Sequence, residues 1–139
     1  METIKVSEKL KDKKIILSTL WIFVMFNYLY CDVLGLMDPG LLNQYITGIV
    51  NGLEINESFL LAGAVMMEIP IAMVLLARIL NYKANRWANI VAGSLKTIVM
   101  IMTMFVGTPT SYYLFFGTIE IATTIFIVWY AWKWKTQEV

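Results

Sequence analysis

Histidine is absent from the 139-residue chain, and cysteine occurs once. Without imidazole there is no His-bound zinc, no His-ligated haem and no Ser-His-Asp triad. A lone cysteine closes no intrachain disulfide and builds no thiolate cluster for zinc or iron–sulfur. Neither a metal nor a cofactor is expected. Charge is scarce as well: 15% of residues are charged, and the net charge is +1. No global field draws in an anionic polymer, which excludes nucleic acid as a partner. What is abundant is apolar, with 59% hydrophobic residues and a mean hydropathy of +0.68. Soluble domains run nearer half apolar and a quarter charged. A soluble enzyme and a disordered segment are therefore poor fits, and the length accommodates one domain.

Four stretches approach the roughly 20 apolar residues that a membrane-crossing helix needs. They cover about 15–37, 58–80, 88–107 and 111–132. The runs are too continuous for barrel strands, which alternate. The later loops are short, so successive helices should lie antiparallel. The sequence thus predicts an all-α membrane protein, an antiparallel four-transmembrane-helix bundle forming a single integral membrane domain. The first outer loop is longer. Asp38-Pro39-Gly40 is a turn signature that ends the first span. Beyond it, Leu41, Leu42, Tyr45, Ile46, Ile49 and Leu53 recur at helical spacing. That spacing predicts a short amphipathic helix on the outer surface over about 41–51.

Basic residues set the orientation. Lys5, Lys9, Lys11, Lys13 and Lys14 precede the first span. Arg78, Lys83 and Arg86 flank the second connection, and Lys133 and Lys135 follow the last span. The first outer loop instead carries Asp38, Glu54 and Glu57. By the positive-inside rule both termini are cytoplasmic. Tyr82, Trp87, Trp129, Tyr130, Trp132 and Trp134 gather at the inner ends as an aromatic belt. The apolar run after the N-terminal lysines is too long for a signal peptide, so an uncleaved N-terminus is expected. The lysines at 11–14 should touch anionic lipid, and Cys31 reads as a small packing residue.

Each span carries a polar residue at depth. Asn27 lies in the first, Glu68 in the second, Lys96 in the third and Glu120 in the fourth, with Asp32 nearer the outer end of the first. At about 1.5 Å per residue the first four fall in one layer near the midplane. An ion left at the centre of a lipid-facing helix costs about 2.5–3.5 kcal/mol. Three such ions are expected to face inward, with Glu68–Lys96–Glu120 as a triad and Asn27 donating to either acid. Small residues beside them, Ala64 and Ala72 near Glu68 and Ala88, Ala92 and Gly93 near Lys96, allow close packing. Pro70 cannot bond the Met66 carbonyl, which leaves a free acceptor one turn from Glu68.

Three blocks carry a resemblance. They are Leu20–Tyr30 (LWIFVMFNYLY), Met67–Leu76 (MEIPIAMVLL), and Ile119-Glu120-Ile121-Ala122 followed by Trp129-Tyr130-Ala131-Trp132. With Asn85-Arg86-Trp87-Ala88-Asn89, they resemble a family of short prokaryotic membrane proteins grouped as a domain of unknown function. The resemblance spans about residues 15–134. It implies a four-helix unit in the prokaryotic inner or plasma membrane, and brings no catalytic residue with it. More loosely, short helices with buried acids are similar to DoxX-like proteins and to sterol-isomerase-related ligand-binding membrane proteins.

The polar layer suits three roles. The first is binding or sensing a small amphipathic ligand, its head fixed by Glu68, Lys96, Glu120, Asn27 and Asp32. The second is proton- or cation-coupled transport by a homo-oligomer. The third is a non-catalytic assembly or accessory subunit. Acid–base isomerisation by Glu68 and Glu120 is a weaker fourth, for no nucleophile motif accompanies them. Beyond lipid, the expected partners are an amphipathic molecule or cation, and further copies of the chain.

Overall fold

Chain breakers and short polar side chains mark where the helices start. Asp38 accepts from the backbone N–H groups of Gly40 and Leu41, and Pro39 fills the first helical turn that follows. Asn56 accepts from Phe59 N at 2.9 Å and Asn81 from Ala84 N at 3.0 Å, each opening a long helix. The computed structural model describes residues 2–134, with side chains from residue 8 onward. The Lys5 side chain and Lys135, read above as orientation signals, lie outside the described residues.

The element order is α1 (Glu2–Met37), α2 (Pro39–Thr47), β1 (Ile49–Val50), β2 (Leu53–Glu54), α3 (Glu57–Ile79), α4 (Tyr82–Thr103) and α5 (Ser111–Trp132). Among the described residues the protein is therefore all-α apart from one tiny hairpin. Among the described residues, three helical segments are long and apolar enough to cross a membrane: Glu8–Met37, Glu57–Ile79 and Ser111–Trp132. The third expected span became α4, which is not one of those three. Its buried stripe explains why. Asn85, Asn89, Ala92, Lys96 and Met100 recur every three or four residues, so this helix turns its polar side inward.

The amphipathic helix expected to reach residue 51 stops at Thr47. Gly48 sits at φ 77 and closes the helix in the left-handed conformation. Asn51 and Gly52 follow with φ 49 and 80 and turn an antiparallel hairpin pairing Val50 with Leu53. An Asn-Gly pair is the strongest short-range hairpin signal. Helical spacing of the apolar residues masked it.

The long helices pack side by side, α4 on α5 and α1 on both α3 and α5. Leu17, Trp21 and Val24 of α1 meet Met73 and Ala77 of α3 and Ile127 of α5 in the core. The end rich in lysine and arginine, here the basic end, is tied across the chain. Lys14 Nζ donates to Leu80 O at 2.6 Å, Arg86 Nη2 to Trp132 O at 3.1 Å, and Tyr82 Oη to Trp134 O. The other end carries α2 and the hairpin and is here the connector end. There α3 is bare: residues 57–65 are all exposed, and its buried residues are Pro70, Met73 and Ala77.

Close approach of α4 and α5 depends on Gly93. A Cβ there would meet Val128 Cγ2 at 2.7 Å and the Thr124 carbonyl at 3.3 Å. The carbonyl belongs to a helix backbone and cannot step aside. Gly93→Leu is expected to lower stability by about 1–3 kcal/mol through overpacking. Gly63→Ala is the control, since nothing lies within 4 Å of its Cβ position. Thermal unfolding of both variants in detergent should show a lowered midpoint for the first alone.

Candidate functional site

Proline at position 70 leaves the Met66 carbonyl without its helical donor. Lys96 Nζ occupies that vacancy, donating to Met66 O at 3.5 Å. The same ammonium stands 4.1 Å from the centroid of the Tyr28 ring, within cation–π range. Lys96 is 5% exposed and Glu120 1% exposed. Their helix positions follow from neighbours that permit it. Gly93 lets α4 approach α5, and Thr123 and Thr124 beside Glu120 return their hydroxyls to Ile119 O and Glu120 O at 2.7 and 2.9 Å.

Between these residues lies a cavity of about 150 Å³. From α1 it is lined by Tyr28, Cys31 and Asp32, and from α5 by Tyr113 and Glu120. Lys96 and Thr103 face it from α4, and α3 contributes Met67. Tyr113 Oη donates to Thr103 Oγ1 at 2.8 Å and closes the connector side. Two buried polar atoms on this lining have no hydrogen-bond partner among the described residues, Glu120 Oε1 and Tyr28 Oη. A buried acceptor left unpaired costs about 1–3 kcal/mol, more if charged. The lining thus offers one cation, one buried acid with an open lone pair, a second acid and two phenols, of which only that of Tyr28 is unpaired. Among the described residues, no group of three His, Cys, Asp or Glu side chains is placed to hold a metal ion.

Of the five residues expected to gather, the structure brings together Lys96, Glu120 and Asp32. Asp32 is exposed and joins them on the cavity wall, so the carboxylates around Lys96 are Asp32 and Glu120. Glu68 is exposed on α3 and does not line the cavity, which corrects the expected Glu68–Lys96–Glu120 triad. Its neighbour Met67 lines the cavity, so rotation and not height along the helix sets it apart. α3 turns Met66, Pro70, Met73 and Ala77 towards its neighbours. Glu68 sits about 200° from both Met66 and Pro70 on that helix and points away. Asn27 is also elsewhere: half-buried, it donates from Nδ2 to Phe23 O one turn back at 2.8 Å. Cys31, read as packing, is buried and faces the cavity.

A second polar group had not been expected. Trp21 Nε1 donates to Asn89 Oδ1 at 2.7 Å, and Asn89 Nδ2 donates to Asn85 Oδ1 at 2.7 Å. Asn85 Nδ2 in turn donates to Ala77 O at 2.6 Å. Trp21, Asn85 and Asn89 are all 0% exposed. Every side-chain nitrogen and oxygen of the three residues has a partner, so this group is a fastener and not a site. Its signal was the four-residue spacing of two asparagines with a tryptophan on another helix.

Fold and cavity fall within the reach of one family model. A family of unknown function (DUF6326) matches residues 4–139. The chain belongs to this family. The match agrees with the resemblance read from the sequence blocks, and covers both the Asn85–Asn89 fastener and the Glu120 cavity. No curated protein and no solved structure matches the chain. The chemistry of the cavity therefore rests on its own residues.

Proposed function

We propose that the chain is a small polytopic membrane protein that binds or senses an amphipathic molecule by its polar head. In this reading α4 crosses the membrane with the three apolar helices, as an antiparallel four-helix bundle. Both termini face the cytoplasm of a prokaryotic cell. The observation that carries the proposal is Glu120 Oε1, a buried acceptor aimed into a cavity with no partner among the described residues. A head with an N–H or O–H donor completes it. A hydroxyl or amine also meets the Tyr28 phenol, which donates or accepts. With Lys96 and two acids on the wall, an amine balances the lining better than an anion does.

Size limits what enters. The cavity of about 150 Å³ is smaller than the roughly 300–1,000 Å³ of pockets that enclose a whole small molecule. Only the head fits, and the tail lies outside, along the bare connector half of α3. Coupled transport of a proton or small cation is the second reading, favoured by the same small, net-acidic lining. An accessory role in a larger assembly draws on Glu68, an ionisable residue exposed in the middle of an apolar helix. Contact with a further copy takes it out of lipid.

Native mass spectrometry of protein gently extracted from its own membrane tests this, beside Glu120→Gln. A defined extra mass on the wild type, reduced on the order of tenfold in the variant, is expected from losing one charge-assisted hydrogen bond. Bare protein in both samples removes the ligand reading and sends the question to flux measurements. The same spectra give the number of copies.

A further inference from the structure

A groove of about 420 Å³ runs along the seam of α4 and α5, sharing no residue with the Glu120 cavity. Ser94 and Ile98 line it from α4, and Ile125, Val128, Trp129 and Trp132 from α5. It exists because Gly93 has no side chain: the two backbones close on one another, and the residues to either side stand up as walls. Its volume lies within the range of preformed ligand sites.

The groove is capped by cations at one end only. Lys133 Nζ lies 4.3 Å from the centroid of the Trp129 ring. Arg86 Cζ lies 5.8 Å from the centroid of Trp132, and its Nη2 holds the Trp132 carbonyl. Both tryptophans that wall the groove thus carry a positive group at the basic end. Arg86 Nε is buried and has no hydrogen-bond partner among the described residues. Towards Ile98 and Ile125 the walls are apolar.

We propose that this groove is a binding site for one anionic glycerophospholipid. Its phosphate lies between Arg86 and Lys133, and one acyl chain runs down the groove past Val128 towards Ile98. The polarity of the groove matches that of the lipid, with charge at one end and hydrocarbon along the rest. Guanidinium and phosphate have complementary geometry. Tryptophans at headgroup depth anchor the boundary between the two. A zwitterionic lipid fills the same hydrocarbon track but gains less from the two cations.

The test uses the full chain in neutral detergent, titrated with phosphatidylglycerol or with phosphatidylcholine of identical acyl chains. Native mass spectrometry counts bound lipid. Wild type is expected to hold one phosphatidylglycerol with a preference of up to about thirtyfold, the effect of two basic groups near anionic lipid. Arg86→Gln with Lys133→Gln should bring phosphatidylglycerol down to the phosphatidylcholine level. Ser94→Phe fills the groove without touching the charges and should lose both lipids, with helix content by circular dichroism confirming the fold. If Ser94→Phe does not fold, the charge variant decides alone. Equal retention of the two lipids by wild type overturns the proposal. So does a preference that survives the charge variant, or a dimer that Ser94→Phe splits, which assigns the groove to a second copy.

Discussion

Asn89→Leu should be the most damaging single substitution in the α4 stripe. The side chain accepts from Trp21 and donates to Asn85, and all three residues are sealed at 0% exposure. Leucine leaves the Trp21 indole N–H and the Asn85 side-chain Oδ1 without partners. Each orphaned group costs about 1–3 kcal/mol in a dry interior. Hydrogen bonds between membrane helices measure lower, about 0.6 kcal/mol on average and about 1.7 at most, because the separated helices find other partners. Full burial away from lipid puts this site at the upper end. A loss of about 2–4 kcal/mol is expected. A double-mutant cycle with Trp21→Phe isolates the shared bond. Phenylalanine no longer presents a donor, so the double variant should recover about 1 kcal/mol relative to the sum of the singles. Strict additivity in reversible unfolding would mean that Trp21 and Asn89 act independently.

Glu120→Gln is expected to move stability the other way. The acid is 1% exposed, yet Oε1 has no partner among the described residues. A neutral amide costs less to bury than a carboxylate with an open lone pair. Stability of the ligand-free variant should rise by about 1–3 kcal/mol, while ligand retention falls. The sign separates the two uses of a buried polar cluster. In a structural network, removing one charge strands the other and destabilises the protein. In a binding site, strain is held until a ligand relieves it. Lys96 is already supported by Met66 O and the Tyr28 ring, so it is not stranded by the change. Chemical unfolding of the delipidated variant beside wild type reads the sign. A fall in stability would assign Glu120 to the fastening of α5 and withdraw it from ligand binding.

Helix positions were legible in the sequence because apolar run length is a strong signal. The last span was read at 111–132, and α5 is Ser111–Trp132. The acceptor freed by Pro70 was legible too, since a missing N–H is a covalent fact, and Lys96 now occupies it. Rotation was not. Glu68 and Met67 are adjacent, and only contacts from other helices decide which faces inward. α3 packs mainly on α1, by its basic half, and that fixes its face. Asparagine costs less than an ion to bury, so Asn85 and Asn89 give a weaker signal of an inward face than Lys96 or Glu120 does. The hairpin at Asn51-Gly52 lost to a helical spacing that its own turn residues contradict.

The bond between Trp21 and Asn89 links positions 68 residues apart. At about 5–20 residues per second, the indole is synthesised roughly 3–14 s before its acceptor exists. Ser18 is in the same position, since its partner is the Val74 carbonyl of α3. On the proposed membrane reading, the first helix therefore reaches the bilayer with Trp21 and Ser18 unmatched, and interfacial water or the insertion machinery must host them. Only when the later helices arrive does that helix acquire its interior face. The order of synthesis makes the first helix the last to be finished.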